Sequence, residues 1–326
     1  MKTEKVNIVF AFSVFFMLCA SLGGLCFGSV DIPFESIISS LLGENTSTDS
    51  VIVCQLRLPR IVAALITGAS LSLAGCGLQC IFRNPLAEPS ITGVSAGASL
   101  GAVVAIMFFN ATFSIELFAF VFALLASLAV CVVGTRKGKV EPTSTILAGV
   151  AINAICAAGV GLFMYATRES GLKNFVFWSL GSFDKCSWNS IVICLAVSLP
   201  AWIVMLSQYR NLNALLLGER QAFDVGVNVK QTQILVVLSA VAMTSASVAM
   251  CGTIGFIGLV IPHIVRKFSG VGNGSVMPCS ICLGAGLAVC ADLVARAISP
   301  ENPIPIGVIT SIIGAPFFIL ILRKGK

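Results

Sequence analysis

The chain has 326 residues, of which 57% are apolar and only 10% are Asp, Glu, Lys or Arg. A soluble globular chain carries about 25% charged residues, so a surface of this size cannot face water on all sides. Disorder, a disulfide-built secreted domain and an ordinary cytosolic enzyme are excluded, and lipid is the solvent for most of the chain. The net charge of +6 is no nucleic-acid signal, because its meaning depends on the side of the membrane that each charge occupies.

A helix needs about 20 apolar residues to cross the hydrocarbon. Uncharged stretches of that size run 6–30, 61–82, 89–115, 117–135, 142–167, 186–209, 231–265, 268–291 and 302–322. The first is too long for a signal-peptide core of 7–15 residues and is expected to be a retained helix. The stretch 231–265 would be about 52 Å long as one helix. Gly252, Gly255 and Gly258 interrupt it and Pro262 follows, so it divides into spans near 231–250 and 254–268, giving ten. Basic residues test the division, since they concentrate on the cytoplasmic side. With the N-terminus inside and ten spans, Lys2, Lys5, Arg83, Arg136, Lys137, Lys139, Arg210, Arg220, Lys230, Arg266, Lys267, Arg323, Lys324 and Lys326 lie inside, 14 of the 20. Nine spans would leave 10 on each side. The expected fold class is therefore all-α, one polytopic domain over 1–326 with both termini cytoplasmic. The loops 31–57 and 168–185 lie outside, the second carrying Trp178 just before Trp188 as interface anchors, and 209–230 lies inside.

Thirteen cysteines would suggest disulfides in a short secreted domain. Here Cys19, Cys76, Cys80, Cys131, Cys156, Cys194, Cys282 and Cys290 fall within apolar runs, where a thiol behaves as a small hydrophobe. No metal site is expected. Segments 67–75 and 244–252 share Thr, Ala, Ser and Gly at a constant offset of 177. On helices of opposite direction this is the trace of an inverted repeat.

Gly93-Val-Ser95-Ala-Gly97 and Gly97-Ala-Ser99-Leu-Gly101 both fit G-x-S-x-G. A hydrolase elbow needs a strand and a histidine partner, and the chain offers no strand and a single His, His263. Gly93, Gly97 and Gly101 instead fall every four residues, the small-xxx-small spacing of close helix packing in membranes. His263, beside Arg266 and Lys267, reads as a helix-end residue. Asp292 and Arg296 are spaced as an i,i+4 pair at the outer end of the ninth span. The span interiors hold no carboxylate, which disfavours an ion-coupled secondary transporter, the alternative reading. Arg83-Asn84-Pro85-Leu86-Ala87-Glu88-Pro89 reads as a rigid cytoplasmic turn.

Gln55-Leu-Arg57-Leu-Pro59-Arg60, Asn84-Pro85-Leu86-Ala87-Glu88-Pro89 running into Gly93-Val-Ser95-Ala-Gly97, and Gly255-Phe-Ile-Gly258-Leu-Val-Ile-Pro262-His263-Ile-Val-Arg266 occur in one order. Together they resemble the FecCD-type permeases, transmembrane subunits of ABC importers for iron-siderophores, haem and cobalamin. The resemblance implies the type II importer architecture and a second permease, either a copy or a paralogue. It also implies a pair of cytoplasmic ATP-binding subunits and a periplasmic or lipid-anchored substrate-binding protein, in the inner (cytoplasmic) membrane of a bacterium. It implies no enzyme activity and no cofactor in this chain, ATP and Mg being bound by the partner ATPase; no G-x-x-x-x-G-K-[ST] loop occurs here. Arg57, Arg60 and Arg296 would receive acidic residues of the binding protein. Leu216, Gly218, Glu219, Arg220 and Ala222 would couple to the ATPase, and Asn84, Leu86, Thr143 and Ser144 would form the cytoplasmic gate. The cargo is expected to be a ferric siderophore, with haem and cobalamin as alternatives.

Overall fold

Helices carry nearly the whole chain, in the order of the apolar stretches. The computed structural model describes residues 2–28, 30–43, 48–109, 112–136, 139–299 and 303–324. Lys137 and Lys326, both used in the charge count, lie outside them. α1 (Lys2–Cys26) leads to the short α2 (Phe34–Leu41) and α3 (Thr48–Val51). A π-helical turn, Ile52–Arg57, then carries the chain straight into α4 (Leu58–Ile81). α5 (Val94–Phe108) follows a 3-10 turn at Pro89–Thr92 and precedes α6 (Thr112–Gly134). A ribbon of β1 (Thr135–Arg136) and β2 (Lys139–Val140) joins α6 to α7 (Pro142–Ala166). Then come α8 (Glu169–Ser179), α9 (Trp188–Ser207), α10 (Tyr209–Leu217) and α11 (Glu219–Asp224). α12 (Val229–Cys251), α13 (Ile257–Ser269), α14 (Asn273–Ile298) and α15 (Ile306–Lys324) complete the chain.

Ten of these helices follow the ten expected spans, but they are not alike. Among the described residues, seven helices are long and apolar enough to cross a membrane. α5, with 15 residues, is about 22 Å long, and α13, with 13, is about 20 Å. Both fall short of the ~30 Å hydrocarbon thickness, so the chain enters each from within it. Each starts at a left-handed residue, Gly93 (φ 82°) before α5 and Phe256 (φ 69°) before α13.

The repeat seen in the sequence is a structural one. α4, α5, α6 and α7 correspond in order and length class to α12, α13, α14 and α15. α4 and α12 are antiparallel, since Thr67 meets Cys251 while Gly77 faces Val236. Each set then packs across the other: α4 against α14 and α13, and α12 against α6 and α5.

Glycine sets how closely the helices approach. A Cβ on Gly68 would run into the carbonyl of Gly284, and one on Gly75 into that of Gly258. Gly97 and Gly101 admit α6 in the same way, with Ala126 Cβ 2.6 Å from a side chain built at Gly97. The spacing of Gly97 and Gly101 thus serves packing within the chain. Gly93, the first of the three, is instead the left-handed residue that starts α5.

Several expectations are corrected. The strandless reading misses the ribbon of β1 and β2. The loop expected at 31–57 is largely helical, and Arg57 sits in the π turn. The Arg57 guanidinium ties this segment to the end of α1, donating to the carbonyls of Leu25, Cys26 and Val30. The loop at 168–185 contains α8. Glu116 lies within α6, where it accepts a hydrogen bond from Ser190 Oγ at 2.7 Å. The cysteines, by contrast, agree with their reading as small hydrophobes, all 13 being free thiols.

Gly68→Val and Gly75→Val are each expected to abolish monodisperse folded yield on gel filtration, because the blocking atoms are backbone. Gly161→Ala, whose added carbon meets nothing within 4 Å, should leave the yield unchanged. Normal yield for the first two would show that these helices can move apart at little cost.

Candidate functional site

Four interruptions of the helices converge inside the bundle: 82–93, 179–186, 252–256 and 303–305. The first two-way contact among them is made by Glu88, whose Oε1 accepts the N–H of Phe256 at 2.8 Å. Because α4 and α12 are antiparallel, the chain breaks after them begin at opposite ends of the bundle. They can touch only if both run inward. The Asn84–Pro89 turn is thus not a surface turn throughout, since its Glu88 end is drawn into the interior. The expectation of no interior carboxylate fails here, whereas Asp292, buried at 1% exposure, lies toward the end of α14 as the sequence placed it.

Backbone groups freed by these breaks are answered one by one. Pro262 has no N–H to give the carbonyl of Gly258 four residues back. Gln79 Nε2 donates to that carbonyl at 3.4 Å and to Leu259 O at 3.3 Å, and Arg266 holds Gln79 Oε1 in turn. Ser182 N donates to Cys251 O at 2.8 Å, while Ile306 N and Gly307 N donate to Gly181 O and Leu180 O at 2.9 and 3.0 Å. Thr253 Oγ1 donates to Ser179 O.

Where the breaks meet they leave a cavity of about 530 Å³. Its polar lining includes Glu88, Ser95, Ser179, Thr244, Thr253 and Ser311, set among Leu71, Val248, Ile254 and Ile312. One carboxylate and a scatter of hydroxyls give a weakly polar chamber. Such a lining lets a large polar solute enter without holding it tightly. Ser95 belongs to this lining, whereas the ring of His263 stands edge-on to Phe317 with centroids 6.4 Å apart.

At one end of the bundle the three sequence-marked arginines form a knot. Arg60 Nε donates to Asp292 Oδ1 and Oδ2 at 2.8 and 3.0 Å, and Arg60 Nη1 to Asp184 Oδ1 at 2.7 Å. Arg296 pairs with Asp292 at 3.1 Å, as its spacing predicts, and donates to Phe27 O and Gly24 O at 3.2 and 3.4 Å. Arg57 and Arg296 thereby satisfy last-turn carbonyls of α1, which the helix itself cannot pair. Arg57 and Arg60 are only 5% and 8% exposed, so charge reversal at Arg60 disturbs the fold before it tests any docking.

At the opposite end, α10 and α11 meet at Gly218, where φ is 134°. Leu216 and Arg220 face outward, and Gln233 Nε2 donates to Glu219 Oε1 at 3.2 Å. Ala222 is fully buried and so faces the bundle, not a partner's groove. Leu217, Phe223 and Val225, not singled out in the sequence, are 74%, 73% and 72% exposed. Apolar side chains so exposed in a charged loop were the available signal. In the proposed gate, Asn84 Oδ1 accepts Leu86 N at 2.9 Å and Ser144 Oγ donates to Glu141 Oε2 at 2.7 Å. No hydrogen bond among the described residues joins the Asn84 turn to Thr143 or Ser144.

The model of the FecCD transport family matches residues 13–324. The chain belongs to that family. The hemin transport system permease of Yersinia pestis is 34% identical over 98% of this chain and 96% of its own length. A cobalamin import system permease from Halobacterium salinarum is 37% identical over 92% and 80%. A solved inward-facing ABC transporter of metal-chelate type, 30% identical, gives a TM-score of 0.86 over 98% of this chain and 99% of that one. This FecCD-family chain is a membrane-embedded permease subunit of an ABC importer, and the ion-coupled carrier is set aside.

Glu88→Leu is expected to lower the melting temperature of the detergent-purified permease, because an unpaired interior N–H costs about 1–3 kcal/mol. Glu88→Gln keeps an acceptor oxygen and should melt close to wild type. Equal losses in both would show that charge, not the bond to Phe256, holds the break together.

Proposed function

We propose that this permease forms half of the translocation pathway of a binding-protein-dependent importer of a metal chelate. The first candidate cargo is a ferric siderophore, with haem and cobalamin as alternatives. Both termini and the segment 209–230 face the cytoplasm, and 31–57 and 168–185 face outward, in a bacterial inner (cytoplasmic) membrane. A second permease, a copy or a paralogue, completes the pathway. ATP and Mg bind to a pair of cytoplasmic subunits, and a periplasmic or lipid-anchored protein delivers cargo to the end marked by Arg57, Arg60 and Arg296.

The observation that carries this reading is the axial order of the molecule. A charged knot lies at one end, a chamber of about 530 Å³ at the helix breaks, and a rigid apolar knuckle at the other end. A groove of about 850 Å³ beside the knuckle is lined by Arg220, Phe223 and Val227. Exposed Phe223 and Leu217 suit insertion into a partner, and the short α10–α11 pair suits transmission of a rigid-body tilt. The hemin and cobalamin permeases to which the chain is similar support a chelate cargo. The substrate-binding protein encoded beside this permease should retain a ferric siderophore on purification; retained haem or cobalamin would replace that cargo.

Phe223→Glu is expected to fold normally, since the side chain is 73% exposed, and to reduce co-purification of the ATP-binding subunit at least about tenfold, as for an apolar hot spot. Undiminished co-purification would remove the coupling role from α11.

A further inference from the structure

Glu116 is the one charged residue in the sequence of α6, and it stands near the start of an otherwise apolar span. A carboxylate at the edge of the hydrocarbon is costly unless something answers it. Ser190 Oγ gives its single hydrogen to Glu116 Oε1 at 2.7 Å. Among the described residues no cation pairs with Glu116 and no second donor reaches it. Its depth follows from the start of α9. Ser190 comes two residues after Trp188, whose indole donates to Cys54 O at 3.1 Å, as an aromatic belt residue does at headgroup level. Beside Glu116 a slot of about 80 Å³ opens between α6 and α9, both of which pack on α12. Leu117 and Phe120 line it from α6, Ile193 and Val197 from α9, and Ala246 and Ala249 form its floor. Leu117 and Ile193 are 46% and 53% exposed, so the slot is open to the membrane, with Glu116 and Ser190 as its polar edge. Thr244 and Val248, on the other side of α12, line the chamber, so one helix separates the two.

We propose that this is a lipid site, in which Glu116 holds the ammonium of a phosphatidylethanolamine headgroup and the slot takes part of one of its acyl chains. The charges are complementary, and an ammonium brings N–H donors to the carboxylate oxygen that Ser190 leaves free. Headgroup and chain meet in the lipid at the same boundary where Glu116 and the slot meet in the protein. A slot this small admits an acyl chain and not a protein helix, whose diameter is about 10 Å. An anionic headgroup is repelled by Glu116, and the quaternary amine of phosphatidylcholine has no N–H to donate.

The test is native mass spectrometry of the full-length permease, delipidated and then titrated with phosphatidylethanolamine, phosphatidylcholine or phosphatidylglycerol of identical acyl chains. The wild type should retain phosphatidylethanolamine at least about fivefold more tightly than either of the others, the size of an interfacial ion pair. Glu116→Gln keeps an acceptor for Ser190 and removes the charge, so it should fold and bind all three alike. Ala249→Leu fills the floor of the slot and should lower phosphatidylethanolamine retention by a similar factor with the charge still in place. Equal retention of the three lipids by the wild type, or a preference that survives Glu116→Gln, overturns the site. The wild-type comparison needs no substitution, so it decides the matter even where a variant fails to fold. Undiminished retention by a folded Ala249→Leu also overturns the site, since the headgroup would then be held without the chain.

Discussion

In hydrocarbon, no water is available to pair a free peptide group, and each one left unpaired costs several kcal/mol. A helix can therefore stop inside a membrane only where protein atoms answer its loose ends. This chain stops helices there at several places, and particular polar side chains answer the groups left free. Glu88 answers Phe256 N, Gln79 answers the carbonyl that Pro262 leaves free, and Arg57 and Arg296 answer the end of α1.

The same constraint explains the cavity. Two antiparallel sets of four helices place their short second members, α5 and α13, with their starting points toward one another. The space between two helix starts cannot be filled by helix, so it is filled partly by the 179–186 segment and partly left open. Close glycine crossings along α4, Gly68 with Gly284 of α14 and Gly75 with Gly258 of α13, bring those helices tightly together beside the gap. The broken helices that need polar partners thus also create the weakly polar chamber.

Much of this was legible in the sequence. Hydropathy with the basic-residue count gave ten spans, and the Thr67 and Thr244 segments revealed the repeat. The helix ends were harder to read. Hydropathy runs on unbroken through Pro89–Thr92 and through 252–256, because a break inside a membrane is as apolar as the helix around it. Glu88 between two prolines reads as a solvated turn, and only its contact with Phe256, 168 residues away, places it inside. Arg60 and Asp292 are 232 residues apart, so the sequence marks both as unusual without joining them. Ala222 was assigned to a partner by position alone, and its complete burial against the bundle decided otherwise.

The most direct test is a cryo-electron microscopy map of the permease in nanodiscs, where the lipid density marks the hydrocarbon boundaries. The account requires residues 252–256 to lie between those boundaries, with Phe256 N within hydrogen-bonding distance of the Glu88 carboxylate. A map that placed 252–256 at headgroup level, a helix length away from Glu88, would contradict it.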